Sequence, residues 1–207
     1  MYLYVDSDFL SPYAMSVYVA LRIKQIEFQL KTINLHIHQN LIQEYVQVSL
    51  TSRVPTLIDG EFYLSESSAI TEYLEELKPF PNLYPKNIQD RSRARQVQAW
   101  LRSDLLALRQ EFTTETIFHK KTNKELTVQA KKDSEKLINF ASLLLDHKRM
   151  SLFDSWCIAD TDLALMLNRL IFNGYKVPKI LIQYAKHQWQ NPAIQEWVEI
   201  KRPSNLM

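Results

Sequence analysis

Glycine is nearly absent from this 207-residue chain: only Gly60 and Gly174 occur, where about 7% is usual. Phosphate cradles of the type G-x-G-x-x-G or G-x-x-x-x-G-K-[ST] depend on glycine for close backbone approach. Dinucleotide folds and P-loop enzymes are therefore excluded. The single cysteine, Cys157, excludes an internal disulfide and any multi-cysteine zinc or iron–sulfur site. It suits a reducing, cytoplasmic setting. Long apolar runs are also missing: the best, Leu163 to Phe172, is interrupted by Asn168 and Arg169, so no membrane span is expected. The first fifteen residues lack a basic stretch and carry Asp6 and Asp8, which does not fit a secretory leader. A net charge of +2 gives no bias toward nucleic acid or membrane surfaces.

The charge that is present is unevenly spread: residues 1–80 carry −5 and residues 81–207 carry +7. Three prolines, Pro79, Pro81 and Pro85, fall at that change. Proline ends helices and biases its predecessor toward extended backbone, so residues 79–89 are expected to link a first domain (1–78) to a second (90–207). In the first, Tyr2 to Val5 reads as a strand, and a helix supported by Val17, Ala20, Leu21 and Ile23 follows Ser11-Pro12. Phe28, Leu30 and Ile33 alternate as a second strand, with a weak helix near Asn40 to Val48. Thr56 to Ile58 and Phe62 to Leu64 flank Asp59-Gly60, a hairpin signal. Ile70, Tyr73, Leu74 and Leu77 have the spacing of a one-faced helix. The order is β-α-β-α-β-β-α, with the first two strands parallel across a helical crossover and the last two antiparallel. The second domain reads as all-helical. One stripe runs from Val97 through Trp100, Leu101, Leu105 and Leu108 to Phe112, and another from Leu137 to Leu145. Ile158 to Phe172 is apolar nearly all round, the pattern of a buried central helix. Helices near Pro178 to His187 and Pro192 to Ile200 close the chain.

Three constellations can carry chemistry, and each has a plain structural reading beside it. Ser11-Pro12-Tyr13 precedes the first helix. Serine caps and proline opens helices, yet a helix N-terminus also stabilises an anion, and a hydroxyl there can donate to a thiolate. Val54-Pro55 precedes a strand. It is either an ordinary strand start or a cis turn whose backbone can pair with an extended peptide ligand. Glu66-Ser67-Ser68 opens the third helix. It is either a serine-rich cap or a clasp for a head group carrying both an ammonium and a carboxylate.

Taken in order and spacing, Ser11-Pro12-Tyr13, Val54-Pro55-Thr56-Leu57 and Leu64-Ser65-Glu66-Ser67-Ser68-Ala69-Ile70, with Ile158-Ala159-Asp160 in the second domain, resemble the cytosolic glutathione S-transferase superfamily. The stretches Arg93 to Gln96, Ala99 to Asp104 and Trp156 to Arg169 further resemble a bacterial stress-associated branch, and Ser11 resembles the serine of the serine-type classes. The resemblance implies a thioredoxin-like, mixed-sheet α/β domain followed by an all-α domain. It implies Ser11 as the catalytic hydroxyl on the glutathione sulfur, Val54 pairing with the cysteinyl backbone beside cis Pro55, and Glu66 and Ser67 on the γ-glutamyl group. Arg53 is a candidate for the glycine carboxylate. His38 is a second candidate for that end, or a solvated loop histidine. Glutathione is then a co-substrate, with no permanently bound cofactor, and the usual assembly is a homodimer. The partner substrate is a small hydrophobic electrophile or hydroperoxide in a site between the domains, with Phe9, Tyr13, Trp100, Phe112 and Phe118 as candidate walls.

A free thiol with a pKa near 8.5 is about 3% ionised at pH 7, and lowering it by ~2 units takes roughly 3 kcal/mol. A helix N-terminus supplies up to ~2 kcal/mol and a hydroxyl bond to a charged sulfur about 1.5–3 kcal/mol. Together they suffice without a general base, so Ser11 is read as a thiolate stabiliser. No serine sits in a G-x-S-x-G elbow, against a serine hydrolase. Ser11-Pro12-Tyr13-Ala14 also resembles the C-P-Y-C motif of glutaredoxins with both cysteines replaced, so the reactive sulfur must come from glutathione. The alternatives are a non-catalytic interaction protein of this fold and a glutathione-dependent disulfide reductase. Asp104 is either a glutathione contact or an ion-pair partner of Arg91, Arg93, Arg95, Arg102 or Arg109. Cys157 stands where the family commonly has Ser or Thr ahead of Asp160, and a thiol is a poor cap. His36 and His38 have no third ligand nearby, so no metal site is expected.

Overall fold

The computed structural model describes residues 1–145 and 149–203. Its chain forms two compact units, one of Met1–Leu83 together with the segment from Pro192 onward, the other of Tyr84–Asn191.

The first unit holds β1 (Tyr2–Asp6), α1 (Pro12–Ile23), β2 (Gln29–Ile33), a 3-10 turn at Gln39–Leu41, α2 (Gln43–Val46), β3 (Thr56–Asp59), β4 (Phe62–Ser65) and α3 (Ser67–Leu77). The sheet order is β2-β1-β3-β4. β1 and β2 are parallel, with Tyr4 opposite Lys31, and β3 is antiparallel to both β1 and β4. This is the mixed sheet and element order that alternating strand and helix patterns predict. The two-residue hairpin loop places Gly60 first, at φ +59°, a backbone state that glycine adopts without steric cost. Leu3, Val5 and Leu57 bury the inner sheet face, and α1 buries Ala14, Met15, Val17, Ala20 and Leu21. Each fully buried large apolar side chain contributes about 1.5–3 kcal/mol.

Two features depart from the apolar pattern. The inner face of α3 is Ser67, Ile70, Thr71, Leu74 and Glu75, whereas the spacing pointed to Tyr73 and Leu77 as part of it; Leu77 is exposed. The cause is charge. Lys24, fully buried at the end of α1, pairs with Glu75 and also donates to the Lys78 carbonyl at 2.6 Å. The same Glu75 carboxylate accepts the Leu83 N–H at 2.8 Å. The second departure is the helix Pro192–Val198, which the sequence reading attached to the helical segment. It belongs to the first unit. Its Glu196 accepts from the Tyr18 hydroxyl and pairs with Arg22, and Trp197 is fully buried against Tyr18 and Phe9.

The second unit contains α4 (Ile88–Ser103), α5 (Leu106–Glu111), α6 (Glu115–Phe118), α7 (Val128–Leu144), α8 (Ile158–Phe172) and α9 (Lys179–Trp189); Pro192–Val198 is α10. Twelve of the fifteen residues of α8 are buried, as its all-round apolar character predicts. The stripe from Val97 to Phe112 is broken into two helices. Leu105 sits at φ +60°, and the Asp104 carboxylate accepts from the Leu105 N–H at 2.7 Å and from the Trp100 indole at 2.8 Å. A short polar side chain bonding its own backbone neighbours competes with helix continuation. No helix among the described residues is long and apolar enough to cross a membrane.

Candidate functional site

Strand register brings the three sequence constellations to one end of the sheet. The carboxyl end of β1 leads into the Ser11 turn. Tyr4 lies opposite Thr56, so the start of β3, preceded by Val54-Pro55, is beside it. Thr56 in turn lies opposite Ser65, the residue before Glu66.

Ser11 is the N-cap of α1: its Oγ accepts the Ala14 N–H at 3.2 Å, and Pro12 fills the first helical position. The hydroxyl is half-buried, and its own proton is left to donate elsewhere, with no acceptor among the described residues. The preceding turn is fixed by Asp6, 4% exposed. Its carboxylate accepts the Leu10 N–H at 2.6 Å and the Ser11 N–H at 3.0 Å, while its carbonyl accepts the Phe9 N–H at 3.1 Å. Burial pushes the Asp6 carboxyl above its ordinary value, against the pull of those N–H groups. Arg202, beyond α10, donates to the Phe9 carbonyl at 3.2 Å and to the Trp197, Val198 and Ile200 carbonyls. Burial lowers its guanidinium to about 10, an effect that the Asp6 charge opposes. Phe9 itself has φ +54° and rests edge-on against Trp197. Tyr13 is half-buried in the first turn of α1.

The Val54–Pro55 bond is cis. The Arg53 carbonyl just before it accepts from the Tyr45 hydroxyl at 2.8 Å, from Ser49 at 3.1 Å and from Thr56 at 3.1 Å. The turn is thus braced from inside, and the Val54 N–H and C=O have no partner among the described residues. The Arg53 guanidinium is exposed and likewise without a partner among those residues. At the β4–α3 junction Glu66 stands at φ +73°, ψ 112°, with its side chain exposed and making no cap bond. Ser67, the first helical residue, is 4% exposed. A non-glycine residue held at positive φ costs of order 1–3 kcal/mol and clusters at ligand clamps. His38, also at positive φ (+57°), is exposed on the loop after β2. Its neighbour His36 bonds Asp8 at 2.6 Å, linking that loop to the Ser11 turn.

Sequence reasoning passed over Asp6, the Asp8–His36 pair and Arg202. Only Asp6 left a local signal, an acid four and five residues before two N–H groups of a helix entry. A cavity of about 690 Å³ against Met1, Tyr2, Tyr18, Arg22 and Phe28 lies at the other end of β1 and β2, so it does not contain these groups.

The remaining candidates are in the second unit. Trp100 packs on Phe140, ring centroids 4.1 Å apart and planes tilted by 35°, and donates to Asp104. Asp104 pairs with Lys136, not with the arginines of its own helix. Phe112 is a core side chain, 4% exposed, whose carbonyl accepts from Arg169 at 2.7 Å. Phe118 stacks with Trp189. At the start of α8 the Asp160 carboxylate accepts the Cys157 N–H at 2.9 Å, and the Cys157 sulfur faces the Asp160 N–H to complete a capping box.

Residues 87–202 match the family described as glutathione S-transferase, C-terminal domain, and residues 8–82 match glutathione S-transferase, N-terminal domain. The chain belongs to the glutathione S-transferase family. A glutathione transferase homolog from Burkholderia, solved with bound glutathione, is 42% identical over 95% of both chains, with a TM-score of 0.79. Human glutathione S-transferase theta-1 is 35% identical over 99 residues, which is 47% of this chain and 41% of that relative. The chain thus spans about two fifths of the length of the curated relatives it matches. A diazinon-metabolizing glutathione S-transferase of the silkworm shares the fold at 21% identity over 96% of this chain and 95% of that one, with a TM-score of 0.79.

Proposed function

We propose that this protein is a serine-type glutathione transferase of the bacterial stress-associated branch, with Ser11 as its catalytic hydroxyl. The observation that carries the reading is the state of Ser11: its oxygen accepts from Ala14, which leaves the hydroxyl proton to donate at the positive end of α1. Glutathione as co-substrate fits the donors and acceptors around it. The open Val54 N–H and C=O suit the cysteinyl backbone as one more strand. Glu66 suits the γ-glutamyl ammonium, and Ser67 suits its carboxylate. Arg53 suits the glycine carboxylate, with His38 as the alternative at that end. The 42% identical Burkholderia homolog with bound glutathione supports the same ligand.

The chemistry follows from an ionised sulfur. In conjugation the thiolate attacks an electrophilic carbon, a C–S bond forms, and the leaving group departs with its electron pair. In hydroperoxide reduction the thiolate attacks the terminal peroxide oxygen and the alcohol leaves. A second glutathione then closes the oxidised sulfur to a disulfide with release of water. Phe9 and Tyr13, beside Ser11 in the first unit, are proposed to meet the hydrophobic partner. A homodimer in the cytoplasm is proposed with it, the setting that a single unpaired cysteine suits.

The test is a Ser11→Ala variant assayed with an aryl halide and with an organic hydroperoxide. Loss of at least about tenfold in kcat, with glutathione still bound, is expected for a hydroxyl worth about 1.5–3 kcal/mol to the thiolate. Full activity in Ser11→Ala would contradict the reading. Binding without turnover in the wild type would favour an interaction protein.

A further inference from the structure

We propose that Asp6 is a positioning residue for Ser11: its buried carboxylate holds the Leu10 and Ser11 N–H groups and thereby aims the Ser11 hydroxyl out of the turn. This rests on the reading of Ser11 as the thiolate donor. The geometry is specific to a carboxylate. Two N–H groups converge on it, one per oxygen, at 2.6 and 3.0 Å, and charge-assisted bonds of this kind are the strong ones. A neutral amide would turn an NH2 toward one of those donors. With both N–H groups occupied, the donor that this turn presents to an incoming sulfur is the Ser11 hydroxyl. Behind it, the Phe9 peptide is held on both sides, by the Asp6 carbonyl and by the Arg202 guanidinium from beyond α10. Keeping a carboxylate in so buried a place, with a half-buried guanidinium behind it, is costly, and burial disfavours both charges. A turn needed only for folding could close with neutral groups.

The sign of the effect separates positioning from plain electrostatics. Removing a negative charge near a thiol by Coulomb's law lowers its pKa. Losing the aim of the hydroxyl raises it. The experiment titrates the ultraviolet absorbance of the thiolate of glutathione bound to the full-length protein. It uses wild type, Asp6→Asn, Ser11→Ala and the double variant, with thermal unfolding to confirm the fold. Ser11→Ala is expected to raise the bound thiol pKa by about 1–2 units. Asp6→Asn is expected to raise it by at least half as much, and the double variant to match Ser11→Ala. A fall or no change in Asp6→Asn, or an equal rise in the Ser11→Ala background, overturns the proposal while Ser11 keeps its role. No change in Ser11→Ala, or no bound glutathione in the wild type, overturns both. Should Asp6→Asn fail to fold, Arg202→Lys keeps the charge but loses the guanidinium that spans the Phe9 and Trp197 carbonyls. It is held to the same pattern: a rise in the Ser11 background and none in Ser11→Ala.

Discussion

The Tyr184 hydroxyl donates to Asp160 Oδ1 at 2.8 Å, joining α9 to the first turn of α8 in the core of the helical unit. The same carboxylate accepts the Leu152 N–H at 2.8 Å and the Cys157 N–H at 2.9 Å. Asp160→Ala strands three buried donors, each worth about 1–3 kcal/mol when left unpaired. It is expected to cost about 3–5 kcal/mol, read from the midpoint of urea unfolding. Burial raises the Asp160 carboxyl above 3.8 in the folded protein. Just above pH 3.8 the native state therefore keeps a proton that the unfolded chain has lost. The linked stability is full below the unfolded value and is lost as pH rises through the folded one. Asp6 has the same sign. Asp160→Asn should flatten that decline in a series of unfolding midpoints against pH.

Lys24 and Glu75 make a second stability claim. Lys24 is fully buried, and both partners hold backbone groups as well as each other. Breaking a buried pair from one side leaves an uncompensated charge, at about 3–5 kcal/mol. Lys24→Met and Glu75→Gln should each show a loss in that range. The double variant should lose clearly less than the sum. Additive losses would mean that the two charges are not coupled.

If Glu66 holds glutathione as proposed, its substitution is expected to trade binding against stability. Glycine relieves a φ of +73° but loses more chain entropy on folding. Glu66→Gly is expected to raise stability by up to about 1 kcal/mol. Losing the carboxylate should at the same time weaken glutathione about tenfold or more in calorimetry, since bonds to charged groups are worth about 1.5–3 kcal/mol. Glu66→Gln should weaken binding without the gain in stability.

Cys157 should be silent. Its thiol is fully buried and is pushed well above its ordinary value, by burial first and by the Asp160 charge second. A chromogenic disulfide reagent should label nothing in the native protein and one thiol after denaturation. Cys157→Ser replaces a weak sulfur acceptor in the capping box by a strong one. It should leave stability unchanged or raise it by up to about 1 kcal/mol.

What the sequence makes legible is local. Alternation marks β1 and β2, Asp59-Gly60 marks the hairpin, and Ser11-Pro12 marks the entry to α1; all four stand where the pattern puts them. The three ends of the candidate site follow, because strand register converts that order into proximity. What stays hidden is paired at a distance. Lys24 and Glu75 meet across 51 residues, a pairing with no local signature. Arg202 reaches Phe9 across 193, and His36 reaches Asp8 across 28. Leu105 continues an apolar stripe, so periodicity alone cannot reveal that Asp104 stops the helix there. The attachment of α10 to the first unit rests on Trp197 and Glu196 finding Tyr18, contacts without a local signature.

A crystal structure of the protein soaked with glutathione tests the central claim most directly. The account predicts the sulfur within hydrogen-bond reach of Ser11 Oγ, with the cysteinyl backbone paired to Val54 and the γ-glutamyl group at Glu66 and Ser67. Glutathione seated with its sulfur turned away from Ser11, or bound elsewhere on the chain, would contradict it.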